Sequence, residues 1–343
     1  MLRMPAETDP HERTLMAWPT RTREHSLWHG HLAEARRAWA DVATAIARFE
    51  PVTMVIRPGE VDDGTDTSAH SLLGSVPGID LVELPIDDSW LRDSGPIVMI
   101  DPDDPTCRTA VGFGFNAWGE KFHPFGDDAH IAGALAGHLG LRSMHAPFVL
   151  EGGSITVDGT GVLVTTEQCL LHRNRGPLPD GAPRTREAVA SLLHEWLGAT
   201  TVIWLTSGLS DDADTDGHVD NVAAFAAPGH VLAQGCDDPS DPDHELLADN
   251  ARRLRAAGLA VNELAVLPRV ACLGEVVEVP YLNFYAGNGF VLVPVTGHPY
   301  DDEALATIAD AYPGRTVVPV DGAVIAYGGG GPHCITQQVP ACA

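Results

Sequence analysis

Apolar residues recur three and four positions apart in several stretches of the chain, and that spacing predicts helices. The first runs from about Leu32 to Phe49, with Ala35, Ala38, Val42, Ala45, Ile46 and Phe49 on one face. Asp127 to Leu139, Arg184 to Leu197, Pro242 to Ala257 and Asp301 to Tyr312 follow the same rule. Between them lie short apolar runs bounded by Gly, Pro or Asp, which predict strands. These are Pro51 to Ile56, Ile79 to Leu84, Pro96 to Ile100, Thr201 to Leu205, Val261 to Leu264, Leu282 to Tyr285, Gly289 to Pro294 and Thr316 to Val320. Two hairpins are expected. One joins Ser154 to Val157 with Gly161 to Thr166 around Asp158-Gly159, and the other joins Val219 to Ala226 with His230 to Ala233 around Pro228-Gly229.

The order is mixed α/β. A helix followed by a strand recurs at Arg184–Leu205, Pro242–Leu264 and Asp301–Val320, about 60 residues apart, as in a structural repeat. A plain doubly wound sheet would show fewer hairpins. Periodicity leaves open a repeat-built closed fold or an irregular mixed sheet. No interdomain linker interrupts residues 1–343, so one domain is the simpler reading.

Composition narrows the function. The chain has 21 Lys and Arg against 47 Asp and Glu, a formal net charge of −26, and Lys121 is its only lysine. Such a surface repels phosphate backbones and anionic lipids, which argues against nucleic-acid or membrane partners. No run of about 18 apolar residues could cross a membrane. Met1-Leu-Arg-Met-Pro-Ala-Glu7 lacks a signal-like apolar segment, so a cytoplasmic location is expected. The six cysteines are scattered, without zinc-type spacing, and read as reduced thiols.

Four segments concentrate polar chemistry. Asp87-Asp-Ser-Trp-Leu-Arg-Asp-Ser-Gly-Pro96 carries three carboxylates, a tryptophan and an arginine. An acidic surface loop is the plain alternative, but Trp90 is costly to expose. In Phe148-Val-Leu-Glu-Gly-Gly-Ser-Ile155 the glycines after Glu151 permit a tight bend or close approach. In Thr215-Asp-Gly-His-Val-Asp-Asn221, His218 and Asp220 would share a face if Val219 lies on a strand. They could form an acid–base pair, two metal ligands or a satisfied loop. Tyr327-Gly-Gly-Gly-Gly-Pro-His-Cys-Ile-Thr-Gln-Gln338 brings Cys334 after four glycines whose free N–H groups could stabilise a thiolate. His333 in an extended segment would point away from Cys334, which favours His218 as its partner.

At these segments the chain resembles the agmatine deiminase family, with bacterial peptidylarginine deiminases as broader relatives. The resemblance runs almost end to end, from Met4-Pro-Ala-Glu7 and Trp18-Pro19 through Phe115-Asn-Ala-Trp-Gly119, Thr165-Thr-Glu-Gln-Cys-Leu170, Asn174-Arg175 and Tyr281-Leu-Asn-Phe-Tyr285 to the Cys334 segment. It implies a five-bladed α/β propeller of pseudo-symmetric ββαβ units around a central channel. It implies that Cys334 is the nucleophile, His218 the general acid–base, and Asp93 and Asp220 the carboxylates that grip a guanidinium. Asp87, Trp90 and Glu151 match residues lining or supporting that site. Gly331 and Pro332 depart from the usual asparagine and isoleucine, and the segment between Gly235 and Tyr281 is short for plant-like enzymes.

The implied chemistry is hydrolytic deimination through a covalent amidino-cysteine, with a small cationic guanidino substrate and no metal or organic cofactor. Agmatine would give N-carbamoylputrescine and ammonia. Free arginine or peptidyl arginine as substrate, amidino transfer to an amine, and an inert guanidine-binding protein are the alternatives. A metallohydrolase would differ by sensitivity to chelators rather than to thiol alkylation. Homo-oligomerisation stays open.

Overall fold

A computed structural model describes residues 2–342. β1 (His11–Ala17) runs parallel to β2 (Val52–Ile56), which runs parallel to β3 (Ile79–Glu83). The helix Leu32–Ala47 makes the first crossover. The next blade pairs β4 (Ile97–Asp101) antiparallel with β5 (Asp104–Gly114), and β5 crosses over through the helix Asp128–His138 to a parallel β6 (Arg142–Val149). This antiparallel pair, helix and parallel strand are repeated twice in succession. First come β7 (Ile155–Val157), β8 (Val162–Thr166), the helix Arg186–Leu197 and β9 (Thr201–Leu205). Then come β10 (Ala223–Ala227), β11 (His230–Gln234), the helix His244–Ala256 and β12 (Ala260–Leu264).

A hairpin of β13 (Arg269–Cys272) and β14 (Glu275–Glu278) is inserted before the last repeat. That repeat holds β15 (Tyr285–Gly287), β16 (Phe290–Val295), the helix Asp301–Ala311 and β17 (Thr316–Asp321). Finally β18 (Thr336–Pro340) pairs antiparallel with β1, with Gln338 opposite Thr14 and Thr336 opposite Met16. The two ends of the chain therefore complete one ββαβ unit between them. The arrangement is a five-bladed propeller, as the resemblance implied.

Local chemistry explains the boundaries. The Thr185 hydroxyl accepts from the Ala188 amide and starts the helix Arg186–Leu197, and Gly198 at φ 72° ends it. β2 is buried at every position because helices and neighbouring blades cover both faces, so it reads as an unbroken apolar run. Two expectations change, and one further element appears. Val219–Asn221 is a 3-10 turn, and the strand starts only at Ala223. Leu282 and Phe284 are buried before the strand, which begins at Tyr285. Ala323–Tyr327 is a short helix leading into the glycine run. Among the described residues no helix is long and apolar enough to cross a membrane.

The largest apolar cluster joins the first and last blades and contains Trp18, Trp28, Trp39, Trp90 and Cys334. Trp39 meets Trp90 edge-on at 5.5 Å between centroids, and Trp28 meets Trp39 at the same distance. Aromatic edge-to-face packing of this kind holds a ring in one orientation. It fixes Trp90 as a wall beside the cysteine.

Candidate active site

Four connections converge at one end of the blades. Asp93 sits on the short helix Leu91–Ser94, and Trp90 is its N-cap residue. Gly153 lies on the 3-10 turn Gly152–Ser154. His218 and Asp220 flank and occupy the turn Val219–Asn221, and Cys334 lies in the turn preceding β18. Cys334, His218, Asp93 and Asp220 are all buried.

Gly153 shows how tightly these side chains meet. A Cβ at this position would fall 2.6 Å from His218 Nδ1, 2.9 Å from Asp220 Oδ2 and 3.0 Å from Asp93 Oδ1. Only glycine permits that approach. Its amide donates to Asp93 Oδ1 at 2.8 Å, and the Trp118 indole donates to Asp93 Oδ2 at 2.9 Å. His218 Nδ1 lies 3.8 Å from Asp93 Oδ2. Cys334 Sγ lies 3.6 Å from Asp220 Oδ2 and receives the Asn283 amide at 3.2 Å. The Asn283 carboxamide is itself locked, because it donates to Asn221 Oδ1 at 2.8 Å and accepts the Cys334 amide at 3.3 Å.

A family model described as Porphyromonas-type peptidyl-arginine deiminase matches residues 3–340. The chain belongs to this bacterial agmatine/peptidylarginine deiminase family. A Streptomyces avermitilis relative is 42% identical over 352 residues, which cover 98% of this chain and 97% of the relative. An agmatine deiminase of Stutzerimonas stutzeri is 38% identical, covering 98% and 95%. The solved agmatine deiminase of Enterococcus faecalis superposes with a TM-score of 0.88 at 31% identity, covering 100% of this chain and 96% of that one. The propeller expected from the resemblance is therefore the fold of the family.

Within this deiminase framework the remaining sequence candidates separate. Trp90 lines the pocket that reaches Cys334. Glu151 is buried deeper, where its Oε1 accepts from Arg175 Nε at 2.8 Å. Asp87 turns elsewhere, toward Arg57 at 2.9 Å and the Asp127 amide at 2.9 Å, and does not border the pocket. The pocket's other walls are Trp118 and Phe122, and its charged groups are Asp88, Asp93 and Asp214. Asp88 is paired with Arg23 at 2.6 Å. Among the described residues no Lys, Arg or His borders it.

Burial pushes the Cys334 thiol well above its ordinary pKa, and Asp220 and Asp93 push it further, against opposition from the Gly331 amide and Asn283. Burial would favour neutral His218, but Asp93, Cys169 and Asp220 outweigh it and raise that pKa well above 6.5. Both directions favour a thiol beside an imidazolium at rest. Burial, with Asp220 and Glu151 nearby, also raises Asp93.

Glu151, Cys169 and His218 present donor atoms within 4.8 Å of one another, a set whose chemistry could hold a zinc-class ion. One Glu151 oxygen is already engaged by the buried Arg175, which also pairs with Asp216. Among the described residues the second Glu151 oxygen has no hydrogen-bond partner, and the His218 nitrogens have none apart from the Cys169 thiol. Unpartnered buried groups of this kind are left for a ligand or a transferring proton.

His333 differs from expectation. Residues 332–335 form a turn, so the side chain does not point away from the site. Its Nδ1 lies 2.8 Å from Asp220 Oδ2. Asn283, Trp118 and Cys169 were present in family-like motifs, yet nothing in their spacing marked them as neighbours of Cys334 and His218.

Proposed function

We propose that the chain is a thiol hydrolase that converts agmatine and water to N-carbamoylputrescine and ammonia. The observation that carries the substrate is the pocket over Cys334, bordered by three aspartates and no basic residue. A guanidinium between Asp93 and Asp220 finds two carboxylates suited to its N–H groups. The distal ammonium of agmatine finds Asp214 at the mouth. Arginine would bring an α-carboxylate to the same acids with no cation to receive it. Arg23, Arg92 and Arg175 are already paired inside the protein.

The chemistry follows from the charges. The bound guanidinium counters Asp93 and Asp220, two of the causes that hold Cys334 as a thiol, so binding favours loss of the thiol proton to solvent and leaves the thiolate. Asn283 Nδ2–H supports the developing sulfur anion. The thiolate attacks the guanidinium carbon to give a tetrahedral adduct. His218, protonated at rest, gives its proton to the departing nitrogen, which leaves as ammonia. The neutral imidazole then takes a proton from water, the hydroxide adds to the amidino-cysteine cation, and collapse breaks the C–S bond, with the hydroxyl proton passing to the Cys334 sulfur as the ureido product leaves. Trp90 and Trp118 hold the planar group in register, and a Glu151 oxygen lies within 4.8 Å of a His218 ring nitrogen.

The test is kcat/KM for agmatine, free arginine, N-acetylarginine amide and an arginine peptide, read as ammonia and ureido product. Agmatine should exceed arginine by at least about tenfold, which is roughly 1.4 kcal/mol in transition-state binding. Asp214→Asn should narrow that gap. Equal or inverted values would overturn the agmatine assignment and leave the thiol chemistry standing.

A further inference from the structure

His333 lies between two carboxylates. Its Nδ1 is 2.8 Å from Asp220 Oδ2, and its Nε2 is 2.8 Å from Glu7 Oε2. Glu7 comes from the opposite end of the sequence and is itself anchored. Its Oε2 meets Arg92 Nη2 at 3.1 Å and its Oε1 accepts the Ala286 amide at 2.9 Å. Arg92 also donates to the His333 carbonyl at 3.2 Å and to Gln338 Oε1 at 2.8 Å. Four distant parts of the chain thus hold one imidazole in place. With a carboxylate on each ring nitrogen, His333 donates both of its N–H groups only as the imidazolium.

The two oxygens of Asp220 are in unlike situations. Oδ2 is taken by His333 and faces Cys334 Sγ. Oδ1 is buried and has no hydrogen-bond partner among the described residues. An isolated buried acceptor of this kind is costly, so the carboxylate would turn or protonate unless something held it.

We propose that His333 is a positioning residue of the deimination reaction, tethered by Glu7, which holds Asp220 ionised and turned so that Oδ1 is free for the substrate guanidinium. The idea rests on the reading of Asp220 as a guanidinium-binding group. It goes beyond that reading by placing His333 and the N-terminal Glu7 in the substrate-binding apparatus. Neither touches the reacting atoms. Both ring nitrogens of His333 are occupied, so it is not a second acid–base.

The need for such a residue is electrostatic. Asp93 and Asp220 lie close together in a buried site, and two such carboxylates tend to share one proton. Burial would push Asp220 up, but the His333 hydrogen bond and charge outweigh it and draw it below the ordinary range. Asp93 receives no comparable cation apart from His218 and is drawn upward. The pair is thereby made unequal, with Asp220 the carboxylate ready to bind a cation.

The two arms of the imidazole can be separated. An asparagine at 333 can offer its amide N–H where Nδ1–H stands, toward Asp220, while a glutamine reaches toward Glu7 instead. With agmatine as substrate, H333A should raise KM at least about tenfold with a smaller fall in kcat. H333N should restore most of KM, and H333Q should not. E7Q should raise KM by a lesser factor. A wild-type KM in H333A, or H333N no better than H333Q, would overturn the proposal. NMR titration of the His333 ring gives a readout independent of turnover, in which E7Q should lower the midpoint. An unchanged midpoint would overturn the tether even if agmatine proves not to be the substrate.

Discussion

Gly153 carries no functional group, yet it is the point at which His218, Asp220 and Asp93 come within 3.0 Å of where a methyl would be. Gly153→Ala must therefore displace at least one of them. A shift of about 1 Å in a reacting group typically costs on the order of 100-fold in rate. The expected outcome is a fall in kcat of that size, with the folded protein retained in a melting scan. Activity within threefold of wild type would mean that the cluster has slack the distances do not suggest. Cys334, His218, Asp93 and Asp220 were visible in the sequence because polar residues there crowd beside glycines and match family motifs. Asn283 was not, because it sits among Leu282, Phe284 and Tyr285, where an apolar strand reading absorbs it. His333 was misplaced for a physical reason. Alternation of side chains holds only in extended backbone, and the chain turns at 332–335 before β18 begins. Trp118 depends on backbone that periodicity cannot show: Ala117, Trp118 and Glu120 all have positive φ, an unfavourable run that aims the indole at Asp93.

At the scale of elements, the crossover helices were legible to within a few residues because each keeps one apolar face on its blade. Parallel strands such as the fully buried β2 and the half-buried β9 were legible as short apolar runs. β1 and β18 were not read as strands, since each acquires its meaning from a partner more than three hundred residues away in the chain. That pairing has a functional consequence, because the Cys334 turn leads directly into β18. Val339 is buried on β18 against Leu15, Ala17 and Val55. Val339→Ala should cost about 1–3 kcal/mol, the range for removing buried methyl groups. Activity and global structure should be lost together in a denaturant titration, because opening the closing strand displaces Cys334. The check is to follow turnover and circular dichroism in one titration. Loss of activity well below the structural transition would show that β18 opens by itself.

On the scale of the whole molecule, the charge of −26 sets the field in which a substrate arrives. Fold and charge are independent here. The propeller could carry either sign on its surface, and the sequence revealed the sign before it could reveal the blade number. The field reaches about 30 Å at 0.01 M ionic strength and about 8 Å at 0.15 M. Agmatine carries two positive charges and arginine one net charge, so capture of agmatine should gain more from the field and lose more when salt screens it. Raising ionic strength across that range should lower kcat/KM for agmatine several-fold and for arginine by less. Chemistry inside the buried cluster is screened far less, so kcat should hold nearly constant. Asp214→Asn removes a mouth charge that Lys121, outside the pocket walls, partly offsets, so it should flatten the salt dependence as well as narrow the agmatine preference. Steady-state kinetics at matched pH and varied sodium chloride make the measurement. If kcat/KM for agmatine is flat with salt, or kcat falls in step with it, the surface field plays no part in capture. Preference would then have to arise wholly from contacts within the pocket.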